Sequence, residues 1–213
     1  MINVNRHIEI NRESMLQDVI RVSKLHPSRI HNVHVFGSRV YQTHKENSDW
    51  DIIMIANNSV SNSEIKHPIY NVHILTPDKF QEDLNWHRPN ALECHFAPEW
   101  ATLKEDLEFD FKLDLPKLRH ATSHINSNSW VKSKKKLQQS DYDLGIKSLF
   151  HAIRIPMFST QIAIHGRIVD FGCANFLWEE LNAREWTWED LDKEYRTLNN
   201  ETMSIFRKVA SKE

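Results

Sequence analysis

The sequence predicts an α+β protein: a small mixed β-sheet backed by helices, followed by an all-helical second half. Three observations carry this. Short apolar runs of strand length alternate with helical patterns over the first half of the 213 residues. From residue 117 onward nearly every segment has helical spacing. No repeat or low-complexity tract breaks the pattern, and no run of about 18 apolar residues, the length a membrane helix needs, occurs in it. The boundary falls near residue 115, giving a sheet domain over 1–115 and a helical domain over 116–213.

Taken in order, RESMLQDVIRVSKL (12–25) spaces Met15, Leu16, Val19, Ile20 and Val22 as an amphipathic helix, and Pro27 stops it. HNVHVF (31–36), WDIIMIA (50–56) and IYNVHIL (69–75) are strands, with NNSVSNSE a polar loop between the last two. TPDKFQEDLNW opens a helix, with Thr76 as N-cap and Pro77 at the first helical position. ALECHF (91–96) reads as a short fourth strand. Four helical stretches follow from Pro116, and Pro156 is expected to kink the second, because proline removes an intrahelical hydrogen bond.

The chemistry concentrates in VFGSRVYQTHKENSDWDIIMIA (35–56). Alternate residues of a strand share a face, so Asp49 and Asp51 project together while Trp50 and Ile52 point the other way. Two aligned carboxylates repel unless a divalent cation sits between them, and hard oxygen ligands suit Mg²⁺. Gly37 and Ser38 follow the first strand, where a glycine lets the backbone approach a phosphate and a serine hydroxyl holds phosphate oxygens. The plain alternative is an Asn-Ser-Asp turn opening an ordinary strand.

A net charge of −2 indicates no overall affinity for polyanions, but the charge is unevenly spread. Pro116 to Arg154 holds eight Lys or Arg against two Asp, so the rest of the chain stands at about −8. A basic segment beside an acidic metal site suits phosphate-bearing substrates. Cys94 and Cys173 are too few for a disulfide framework or a structural zinc site, and the thirteen histidines are scattered. With no apolar leader in MINVNRHIEINRESM, a cytoplasmic protein without a membrane segment is expected.

FGSR, a spacer and SDWDIIMIA resemble the active-site signature of the DNA polymerase β-like nucleotidyltransferase superfamily: Gly-Ser, roughly ten residues, Asp-x-Asp. VYQTHKENSDWD, YNVHILTPDKF, ALECHF and KSLFHAIRI are similar, in order, to segments of its RNA-ligase-associated predicted branch, over roughly residues 30 to 180. The resemblance implies a metal-dependent transfer of NMP from an NTP, with Mg²⁺ or Mn²⁺, to a hydroxyl. An RNA or tRNA end is the first choice, with a protein or small molecule as alternatives. It implies metal ligation by Asp49 and Asp51 and nucleotide contacts from Gly37, Ser38 and Arg39. The family's third acid aligns with Asn71, which cannot act as a general base. Glu93 is the candidate to replace it, or His73 on the strand face of Asn71; the plain alternative for Glu93 is a buried acid paired with a basic residue of the helical half.

In the helical half, Lys147, His151 and Arg154 fall at i, i+4 and i+7 on one helical face, and the resemblance turns that face to the nucleotide. Trp130 with Lys132, Lys134, Lys135 and Lys136 forms a minimal single-strand binding set, or simply solvated surface. Two other readings stand beside the enzyme: a weakened nucleotide- or RNA-binding module, motivated by Asn71, and a toxin or defence-type nucleotidyltransferase.

Overall fold

A computed structural model describes residues 11–211. By their contacts the residues divide into two compact units that interleave along the chain. The first runs to Val40 and includes His44–Gln81 and Ala97–Phe109; the second takes Tyr41–Thr43, Glu82–Phe96 and everything from Asp110. The division is therefore more than a single cut near residue 115, since residues 82–96 belong with the helices.

The first unit is built on a five-stranded mixed sheet: β1 (Ile30–Phe36), β2 (Trp50–Ala56), β3 (Ser63–Lys66), β4 (Tyr70–Leu75) and β5 (Thr102–Glu105), in the order β3-β4-β2-β1-β5. β1 and β2 are antiparallel and β2 and β4 parallel, which sets Asp51 between Phe36 on one side and Asn71 on the other. Helix α1 (Arg12–Ser23) is capped by Asn11, whose side chain accepts from the Ser14 N–H, and it ends where Lys24 turns left-handed at φ 57°. Val33, Val35, Ile52, Met54, Ile55 and Val72 are wholly or nearly wholly buried, so the central strands are apolar on both faces.

The edge strands β3 and β5 were not expected. SEIK and TLKE are short and each carries a single apolar residue, so neither shows the apolar alternation that marks a strand. Helix α2 (Pro77–Asn85) begins as expected, with the Lys79 N–H on Thr76 Oγ1 at 3.2 Å. ALECHF, expected as a strand, lies in a helix, α3 (Pro89–His95). Proline at the first helical position followed by Ala, Leu and Glu, all good helix formers, outweighs its apolar look.

In the second unit, α4 (Leu115–Gln138), α5 (Tyr142–His165), α6 (Asn175–Asn182) and α7 (Trp188–Val209) gather around Ile146, Leu149, Phe150, Ile153, Leu177 and Leu191. Helix α5 runs through Pro156. The missing N–H would strand the Ala152 carbonyl one turn earlier. Buried Asn126 of α4 donates its Nδ2 to that oxygen at 2.9 Å, and to Asn199 Oδ1 of α7 at 2.7 Å. One amide thus replaces the bond proline removes and ties three helices together.

Candidate active site

The first unit assembles its acidic site at the C-terminal end of β1 and the N-terminal end of β2. Gly37 opens a single 3₁₀ turn, Gly37–Arg39, closed by the Val40 N–H on the Gly37 carbonyl at 2.9 Å. Its φ of +78° is a conformation side chains rarely adopt, and a Cβ there would lie 2.7 Å from Asp51 Oδ2. Gly37 is therefore required twice, for the turn and for the carboxylate packed against its Cα. Asp49, exposed, precedes β2, and Asp51, half-buried, is its second residue.

Arg39 does not reach outward. Its Nε donates to the Asp49 carbonyl at 3.3 Å, its Nη2 donates to the Ser48 carbonyl, and its guanidinium lies 4.1 Å above the Trp50 ring. Burial lowers its pKa, with Asp49 opposing that shift. These contacts hold the 45–49 loop against the turn, which fixes where Asp49 starts.

Asn71 lies beside Asp51 in register, and its Nδ2 donates to Asp51 Oδ1 at 3.3 Å and to His73 Nε2 at 3.2 Å. Those two acceptors fix the amide's orientation, because the reverse would set its oxygen against a carboxylate. Asn71 Oδ1 is left buried with no hydrogen-bond partner. Asp49 and Asp51 are hard oxygen donors of the kind a divalent cation takes, while the amide turns its nitrogen to Asp51. Among the described residues, no group of three or more His, Cys, Asp or Glu is arranged to hold a metal.

Glu93 and Arg154 belong to the second unit, and each is the other's counter-ion: Arg154 Nη1 donates to Glu93 Oε1 at 2.8 Å, with both side chains at most 3% exposed. Tyr41 and Phe158 cover the guanidinium at 3.9 and 4.6 Å. Burial works to lower the Arg154 pKa, but the Glu93 charge and hydrogen bond, with Tyr41, hold it raised. For Glu93 this is the plain alternative, a buried acid paired with a basic residue of the helical half. The desolvated pair builds the helical unit; Arg154 presents no free fork to a triphosphate, and Glu93 no free carboxylate. His151 Nδ1 accepts from Arg154 Nη2 at 3.0 Å, and burial, then Arg154 and Lys132, push its pKa down to about 3, so the ring is neutral. Of the predicted helical trio, Lys147 is the exposed member.

Trp130 packs edge-on against Trp188, 5.7 Å between centroids, and Lys136 pairs with Asp141 at 3.0 Å; Lys132, Lys134 and Lys135 are exposed. Trp130 also borders a groove of about 410 Å³ with Ser127, Arg196, Asn200 and Arg207. One histidine pair escaped the reading of the sequence. His120 and His124, one turn apart on α4, stack with centroids 6.4 Å apart. The HxxxH spacing was the signal that could have found them.

Residues 20–114 match the family model described as a nucleotidyltransferase domain. That match covers 95 of the chain's 213 residues. Among solved structures, it is similar to a nucleotidyltransferase-like protein from Exiguobacterium sibiricum 255-15, at 11% identity over 93% of this chain and 74% of that one, with a TM-score of 0.35. It is also similar to a spectinomycin adenyltransferase, AAD(9), from Enterococcus faecialis, solved with ATP and spectinomycin, at 10% identity over 91% of this chain and 98% of that one, with a TM-score of 0.47. No curated protein matches it. No helix among the described residues is long and apolar enough to cross a membrane.

Proposed function

We propose that the chain is a nucleotidyltransferase that transfers a nucleoside monophosphate from a nucleoside triphosphate to a hydroxyl acceptor at an RNA or tRNA end, with Mg²⁺ or Mn²⁺ at Asp49 and Asp51. The observation that carries this is the approach of Gly37 to Asp51. A turn able to take a phosphate lies so close to a carboxylate that no side chain fits between them. A bound cation would neutralise phosphate charge there. Asp49 and Asp51 are the residues that would hold it. Gly37 and Ser38 hold phosphate oxygens at the turn, and Arg39 keeps the loop bearing Asp49 in place. Rate enhancement then comes mainly from positioning and electrostatics.

A second reading, a nucleotide binder without turnover, is favoured by Asn71. The test is pyrophosphate release with each of the four NTPs, in Mg²⁺ and in Mn²⁺, with and without RNA, beside the variant combining Asp49→Ala and Asp51→Ala. Release that disappears in the variant supports the transferase. Nucleotide binding without release under every condition supports the binder.

A further inference from the structure

We infer that the groove between α4 and α7 binds single-stranded RNA, which deepens the RNA-end reading above and rests on it for what the strand is there to receive. Both walls of the groove belong to the helical unit. Charge favours a polyanion there. Helix α4 carries Lys117, Arg119, Lys132, Lys134, Lys135 and Lys136, with no Asp or Glu in its 24 residues. Asp114 and Asp141, just beyond its two ends, answer Lys117 and Lys136. Arg119 Nη1 donates to the carbonyls of Arg207 and Ala210 at 2.8 and 2.7 Å, which fastens α4 to the end of α7. Lys132, Lys134 and Lys135 stay exposed. Shape favours a strand. A hollow of about 490 Å³ at Pro116, Arg119, His120 and Ser123 precedes the groove of about 410 Å³ that starts at Asn126 and Ser127. Positions 116, 119, 123, 127, 130 and 131 step mostly by three and four, so the two depressions follow one another along one face of α4. At about 1.5 Å per residue the track from Pro116 to Val131 is about 22 Å long. That is room for about four nucleotides, the short end of single-strand site sizes.

The groups inside the groove divide the work of holding a nucleotide. Asn126 and Asn199 are already bonded to each other at 2.7 Å, so the polar atoms left for a ligand are those of the exposed side chains beside them. Trp130 is braced edge-on by Trp188, and the Arg196 guanidinium, 5.9 Å from the Trp130 centroid, is held by Nε and Nη2 bonds to the Asp192 carboxylate. An indole and a guanidinium fixed before the ligand arrives are flat surfaces on which bases stack. Asp192 offsets the Arg196 charge, which leaves the phosphate to Arg207, exposed three turns further along α7 with a fork suited to it. Ser127 and Asn200, both exposed, supply hydrogen-bonding groups for a ribose 2′-hydroxyl, the group that separates RNA from DNA.

The test uses the full chain and a fluorescein-labelled single-stranded RNA of about 12 nucleotides, within single-strand site sizes. EDTA is present and NTP absent, so that no metal bridges RNA to the acidic site. Anisotropy is followed between about 50 and 200 mM salt. Trp130→Ala, checked for folding by thermal melt, should weaken binding at least about 5-fold, the low end for one stacked base. Ser127→Glu puts a carboxylate into the groove from an exposed position and should also weaken it about 5-fold, the effect of one like charge about 4 Å away in water. Arg207→Ala should reduce the slope of log affinity against log salt by about 0.7, the share of one phosphate on a single strand. Lys24→Glu, a charge reversal in the sheet unit, should change nothing. Absence of RNA binding by the wild-type chain, or Ser127→Glu and Arg207→Ala proteins that bind like it, overturns the inference. A DNA twin bound as tightly overturns the assignment to RNA, and a polyphosphate of equal charge that competes as well overturns the role of the bases. None of these readings needs turnover. RNA held in the groove without pyrophosphate release from any NTP removes the transferase reading alone, and release without RNA held in the groove removes this inference alone.

Discussion

Replacing Glu93 by glutamine preserves its size and one hydrogen-bonding oxygen but leaves the Arg154 guanidinium without its counter-ion. The two side chains meet at 2.8 Å and are 2% and 3% exposed, so water cannot take over the charge. Breaking a buried pair from one side costs about 3–5 kcal/mol. Because Tyr41 and Phe158 still cover the cation, and a desolvated cation–π contact is worth about 2 kcal/mol, the lower end, about 3 kcal/mol, is expected. Arg154→Met should cost a similar amount, since it strands the carboxylate. Combining Arg154→Met with Glu93→Leu removes both charges and should lose less than either single change. Urea denaturation followed by far-ultraviolet circular dichroism measures all four proteins. Single changes worth under about 1 kcal/mol, the range of a solvated pair, or a double change equal to their sum, would refute the argument.

Gly37→Ala combines a left-handed backbone, which costs about 1–2 kcal/mol, with a Cβ only 2.7 Å from Asp51 Oδ2. Asp51 must shift, and with misplacements of about 1 Å costing about 100-fold in rate, pyrophosphate release should fall at least about 10-fold while the protein still melts cooperatively. An unchanged rate would show that the turn is remote from the chemistry. For His151, the folded pKa is about 3 against an ordinary 6.5, so below 6.5 the unfolded chain binds the extra proton. Its contribution is complete above pH 6.5 and is lost as pH falls toward 3. His151→Phe should flatten that part of the urea-midpoint profile, and a slope identical to wild type would refute the assignment.

The central strands were legible because burial on both faces makes them continuous apolar runs, and Gly37, Asp49 and Asp51 because only a turn and a strand bring those residue types together. Asn71 was placed in advance by the spacing of the family resemblance, and the structure sets it beside Asp51. What could not be read depended on distant residues. Glu93 and Arg154 stand 61 positions apart, and nothing local distinguishes a carboxylate facing a substrate from one facing an arginine. Arg39 follows the same rule: its partners are backbone carbonyls, which no side-chain pattern records. β3 and β5 were missed because an edge strand that protects itself with polar residues removes the signal that would reveal it.

The interleaving of the two units bears on how this protein can be cut and recombined. The helical unit draws α3, with Glu93, from a stretch that precedes β5 of the sheet unit, so no single break in the chain releases either unit whole. A fragment beginning at residue 116 would carry Arg154 but leave behind the carboxylate and the Tyr41 ring that make its burial tolerable. The helices are therefore not a transplantable cassette. Any relative that exchanged them for another set would have to exchange residues 82–96 at the same time.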